Sequence, residues 1–75
     1  MSLSNFSKNL IALRTKNKLS QADLATKLGI TRQTIANYEN GIRDPDLINI
    51  VNISVFFNCS IDDLIFGGTD ISRQE

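Results

Sequence analysis

Arg32, Gln33 and Asn37 are the side chains in this 75-residue sequence best suited to chemistry, and that chemistry is hydrogen bonding rather than bond-making. An arginine can present two donors to O6 and N7 of a guanine, and a glutamine or asparagine can pair with N6 and N7 of an adenine. At helical spacing, and with Ala36 between them, the three share one outward face. Polar residues line the outside of any helix, so this face acquires meaning only from the elements that aim it. Catalysis has no comparable footing. Histidine is absent, the single cysteine, Cys59, has no base at hand, and no glycine-rich phosphate loop or paired-carboxylate motif appears. No enzyme activity, cofactor or metal site is expected, and Asp62-Asp63 is read as charge near a helix start.

Five helices can be read from the pattern. Phe6, Leu10 and Leu13 mark one face of a first helix over about 5–16, with Ser4 as its expected cap. Ser20 opens the second, and Asp23 three residues on forms a variant of the capping box. Leu24 and Leu28 point inward there, with Ala22 and Ala25 as small neighbours. Gly29 ends that helix, because the position after a helix favours a left-handed backbone. Thr31 caps a third helix over 32–39, with Ile35 and Tyr38 inward. "ENGIRDP" is a loop in which Asp44 caps, and Pro45 begins, a fourth helix over about 46–57. Leu47, Ile50, Val51, Ser54 and Phe57 are its predicted inward face. Ser60 caps a short fifth helix, with Asp62 and Asp63 near its positive end and Gly67-Gly68 at its close.

The glycine explains the arrangement. Two short helices joined by a turn of three or four residues containing glycine make a helix-turn-helix. Gly29 permits the bend, Ala25 allows close approach and Ile30 fills the space beneath. The N-terminal residues of the second helix in such a unit point into the major groove of DNA. Arg32, Gln33 and Asn37 are therefore the expected base readers.

The charge distribution agrees. The formal net charge is zero, yet residues 1–43 hold seven of the eight Lys and Arg against Asp23 and Glu39, a net +5. Residues 44–75 hold Arg73 against six acidic residues, a net −5. A basic half suits a polyanion and an acidic half faces away from it. Hydrophobic content of 41% is that of a globular chain. The apolar runs are far shorter than the roughly 20 residues of a membrane span. No secretory pattern is present, and a lone packed thiol at Cys59 suits a reducing cytoplasm. The expected organisation is one domain over 1–68 and a polar tail over 69–75.

The stretch "SQADLATKLGITRQTIANYENG", followed by a proline and "SIDDL", closely resembles the lambda-repressor-like, Cro/XRE-type helix-turn-helix family. The resemblance covers residues 6–67. It implies an all-α, compact five-helix bundle that binds operator DNA as a dimer. By position it implies a phosphate contact for Gln21, which also braces the side chains of the third helix. Thr31 and Thr34 match positions facing the backbone or base edges, and Arg32, Gln33 and Asn37 match base-reading positions. Asn40 and Arg43 match a phosphate-gripping loop. Arg14 and Glu39 match a pair that holds the first and third helices in register.

The fourth helix departs from the family pattern by being apolar beyond its inward face, at Ile48 and Val55, and Ile11 on the first helix is similar. A homodimer seam over Ile48, Val55, Ile61, Ile65 and Phe66 accounts for this. The functional expectation is a bacterial or phage-type transcriptional repressor acting on double-stranded DNA. The alternative is an antitoxin that binds DNA and a protein toxin.

Overall fold

The computed structural model describes residues 5–67, which form five helices and no strands. They are α1 (Phe6–Lys16), α2 (Gln21–Leu28), α3 (Arg32–Glu39), α4 (Leu47–Phe57) and α5 (Ile61–Phe66). The fold class is the expected one. The predicted cap Ser4, Gly68 and the predicted tail over 69–75 lie outside the described residues.

Most helix starts follow a side-chain cap. Ser20 Oγ accepts the Asp23 N–H at 2.9 Å while the Asp23 carboxylate accepts the Ser20 N–H at 3.0 Å, a complete capping box. Thr31 accepts the Thr34 N–H at 3.1 Å, and Ser60 accepts the Asp63 N–H at 2.9 Å. α1 differs. Asn5 precedes it and makes no side-chain cap bond.

α4 corrects the sequence reading twice. Its cap is Asp46, which accepts the Asn49 N–H at 2.9 Å, so the helix begins later than expected from Asp44. Pro45 lies buried ahead of the cap rather than in the first turn. The inward face is Ile50, Ile53 and Ser54, with Phe57 partly buried beside them. Leu47 is 72% exposed and Val51 also faces outward. Eight of the eleven residues of α4 are apolar, so spacing alone fits more than one inward face, and the neighbouring helices decide which.

The core gathers Phe6, Leu10, Leu13, Leu24, Ile35, Tyr38, Ile50, Ile53 and Leu64 from all five helices. Full burial of each large apolar side chain stabilises the fold by roughly 1.5–3 kcal/mol. The Phe6 and Tyr38 rings meet edge to face at 5.8 Å. Ala25 is buried against the core and Leu28, Ile30 and Cys59 pack on its margin, whereas Ala22 faces out. Burial, then the charge of Asp63, pushes the Cys59 thiol up.

Asn9 is a polar exception, fully buried between Phe6 and Leu10 on the inner stripe of α1. Its Nδ2 donates to the carbonyls of Asp63 (3.2 Å), Leu64 (2.9 Å) and Gly67 (3.0 Å). Asn5 Nδ2 also donates to the Gly67 carbonyl at 3.1 Å. These two amides add donors at the C-terminal end of α5, where a helix runs out of its own N–H groups, although the Asp63 carbonyl also accepts the Gly67 N–H at 2.9 Å. A four-residue stripe at 6, 9, 10 and 13 carried the signal for Asn9, but its polarity hid it.

Candidate nucleic-acid interface

α2 ends at Gly29, whose φ of +71° lies in the left-handed region. The Ile30 N–H then reaches back to the Ala25 carbonyl at 3.0 Å, closing the helix end. Thr31 resumes an extended backbone and starts α3 at once. The turn therefore spans Gly29, Ile30 and Thr31, and α3 leaves it packed on both α1 and α2.

This double packing buries a wide arc of α3: Ile35, Ala36, Tyr38 and Glu39. Ala36 is thus removed from the outward face on which the sequence reading placed it. Arg32 and Gln33 are exposed, and Asn37 is half-buried. Gln33 Nε2 donates to Asn37 Oδ1 at 3.0 Å, one turn along the helix. Thr31 is exposed and Thr34 half-buried, and their hydroxyls lie 2.8 Å apart.

Behind this face stands an ion pair. Arg14 Nε and Nη2 donate to Glu39 Oε2 and Oε1 at 2.6 and 3.0 Å, a two-pronged contact, and Arg14 Nη1 donates to the Leu19 carbonyl at 2.9 Å. The hydrogen bond to Glu39 raises the Arg14 pKa, burial opposes it, and the charge of Glu39 adds to the rise. Gln21 Nε2 donates to the same Glu39 Oε1 at 2.9 Å. On its other side, Gln21 Oε1 accepts from Arg32 Nη1 at 3.2 Å. Polar contacts thus run from α1, through the C-terminus of α3 and the N-terminus of α2, to the exposed N-terminus of α3.

Two further contacts fix α3, and no local sequence signal marks either. Ser7 Oγ donates to the Tyr38 carbonyl, and Asn49 Nδ2 donates to the Tyr38 hydroxyl at 2.8 Å. Asn40 follows α3 and is exposed, as is Arg43. The N–H groups of Ile42 and Arg43 both donate to the Asn37 carbonyl, at 3.0 and 3.3 Å, so this loop is tied to the end of α3. Gly41 supplies the required φ of +74°.

Of the apolar residues singled out as a seam, Ile48 is 69%, Val55 73% and Phe66 72% exposed, and Ile61 is partly open. Ile65 packs partly on the core. Leu47 and Val51 extend the outward stripe of α4 beyond Ile48 and Val55. No helix among the described residues is long and apolar enough to cross a membrane.

Two helices meeting across a glycine turn, the second presenting a bare polar end, define a helix-turn-helix. A helix-turn-helix family model matches residues 10–64. The chain belongs to the Cro/XRE-type helix-turn-helix family of DNA-binding transcriptional regulators. It is 45% identical over 62 residues to the HTH-type transcriptional regulator YqaE of Bacillus subtilis (strain 168), a match covering 83% of this chain and 53% of YqaE. It is 37% identical over 70 residues to the HTH-type transcriptional activator BcrR of Enterococcus faecalis, covering 93% of this chain and 34% of BcrR. The chain therefore spans about half the length of the first and a third of the second. The P22 c2 repressor, solved with a synthetic operator, superposes with a TM-score of 0.79 at 28% identity, over 84% of this chain and 96% of that one.

Proposed function

We propose that this chain is a non-catalytic, sequence-specific repressor that binds double-stranded DNA as a homodimer in the bacterial cytoplasm. The observation that carries the reading is the asymmetry of α3. Its inner arc is locked by Ile35, Tyr38 and the Arg14–Glu39 pair, while Arg32 and Gln33 stand exposed at its N-terminus. In this reading Arg32, Gln33 and Asn37 contact base edges. Gln21, Thr31, Thr34, Asn40 and Arg43 contact or support the phosphate backbone, which supplies most of the affinity.

Repression follows from occupancy, since a protein seated in the major groove blocks polymerase. The likeness to the P22 c2 repressor favours this sign of regulation. The two-fold operator follows from pairing through the outward stripe of α4 and the α5 region, at Ile48, Val55, Ile61, Ile65 and Phe66. Two recognition helices paired this way reach half-sites about 34 Å apart.

Selection of bound duplexes from a random library tests the whole reading. The expected winners contain an inverted repeat with half-sites one helical turn apart. Transcription in vitro from a promoter carrying that site then falls on addition of the protein. Winners without symmetry remove the dimer, and a library with no enrichment removes sequence reading altogether.

A further inference from the structure

Arg32 is held by one corner of its guanidinium, and the partner that holds it has its own orientation dictated from below. Glu39 is a carboxylate and only accepts hydrogen bonds. The Gln21 group facing it must therefore be the amide nitrogen, which donates to Oε1 at 2.9 Å. That fixes the other end of the amide: Oε1 faces Arg32 and accepts from Nη1 at 3.2 Å. A buried acid thus decides that a donor is wanted at position 32.

The corner that is held matters. Gln21 takes Nη1 of Arg32 and leaves Nε and Nη2 without a partner among the described residues. Those two nitrogens form the side edge of a guanidinium, whose paired N–H groups suit two neighbouring acceptors. Arg14 displays the same division of labour within this molecule. Its Nη1 sits on a carbonyl oxygen, that of Leu19, and its Nε/Nη2 edge grips two acceptors, the oxygens of Glu39. A guanine offers an equivalent acceptor pair in O6 and N7.

We infer that Glu39, acting through Gln21, positions Arg32 so that its Nε/Nη2 edge reads guanine. Gln21 and Glu39 are positioning residues for that base pair. The inference rests on the DNA-reading function proposed above and on the bracing by Gln21 that the resemblance implies, and adds to them the base, the edge and the part of Glu39 in setting both. Pre-ordering a long side chain matters because its rotamer freedom is otherwise lost on binding.

The test is library selection with the wild type, Arg32→Ala, Gln21→Leu and the double variant. Arg32→Ala identifies the base pair that residue 32 reads. Gln21→Leu, which leaves the Ser20 cap in place, should lower the guanine preference at that same pair by about tenfold. Preferences at the other positions should stay unchanged, since any loss of the phosphate contact proposed for Gln21 lowers binding to every duplex by one common factor and cancels from the preferences. In the double variant the Gln21 change should add nothing further at that pair. Glu39→Gln, compared with wild type at a temperature where both are fully folded, should also relax that pair because the Gln21 amide is then free to turn over. Gln21→Leu with the guanine preference intact overturns the inference, whether or not binding to all duplexes falls together, because a loss without a change of preference marks a phosphate contact alone. A wild type that selects no sequence overturns the DNA-reading proposal itself, which separates the two failures.

Discussion

Glu39, the last residue of α3, has both carboxylate oxygens on the guanidinium of Arg14 in α1, at 2.6 and 3.0 Å. The side chains are 4% and 15% exposed respectively. Removing either leaves a nearly buried charge without its partner. Arg14→Ala or Glu39→Ala should therefore lower unfolding free energy by roughly 3–5 kcal/mol. Urea unfolding followed by circular dichroism measures it. A loss below 1 kcal/mol would mean that water takes the missing partner's place.

Arg32 and Arg43 should fail differently on DNA. Arg32→Ala should weaken binding to a selected site by about 1–3 kcal/mol and relax one base pair. Arg43→Ala should weaken binding to all duplexes and reduce the salt slope by about 1. Titrations at several salt concentrations, on selected and random duplexes, tell the two patterns apart.

Asn9 donates to three carbonyls from a fully buried position. Asn9→Ala should destabilise the fold by about 1–3 kcal/mol, as buried carbonyls lose their donor. Asn9→Asp should be worse at neutral pH, because it points an acceptor at acceptors. Equal thermal midpoints for the two variants would contradict this account.

Gly29 adopts a φ of +71°, and a Cβ placed there meets nothing within 4 Å. Gly29→Ala should thus cost backbone strain alone, about 1 kcal/mol, with Gly29→Asn costing less. A much larger loss in thermal unfolding would reveal a contact that the geometry does not contain.

The capping box of α2 gives a pH dependence. The Ser20 backbone N–H, then its hydroxyl, holds the Asp23 carboxyl below the ordinary carboxylate range, with the charge of Lys27 adding a little. A carboxyl whose folded pKa is depressed stabilises the fold above its unfolded pKa. That contribution is lost as pH falls through the folded value, below about pH 4. Amide exchange at the start of α2 should speed up in that range in the wild type. Asp23→Asn should lack this acid-side step.

The signals that were local in the chain were legible. Ser20 with Asp23, Gly29, Thr31 and Ser60 each act on neighbours within a few residues, and each sits where its chemistry requires. α4 was harder. Val51 and Ile53 are both β-branched and apolar, and only packing against α2 and α5 turns one out and the other in. Ala36 was misplaced for a similar reason, because contact with two helices widens the buried arc of α3 beyond what spacing suggests. Within the interface, the resemblance suggested the Arg14–Glu39 pair and the bracing by Gln21. The Ser7 and Asn49 contacts to Tyr38 span 31 and 11 residues and left no mark in the sequence.

The grip of Asn5 on the Gly67 carbonyl brings the first and last described residues within a hydrogen bond of each other. Asn5 and Gly67 therefore offer two attachment points side by side on one edge of the fold. Joining these two positions by a brief glycine-serine bridge, and opening the chain in the loop between α1 and α2, should yield a permuted protein with the same helix packing.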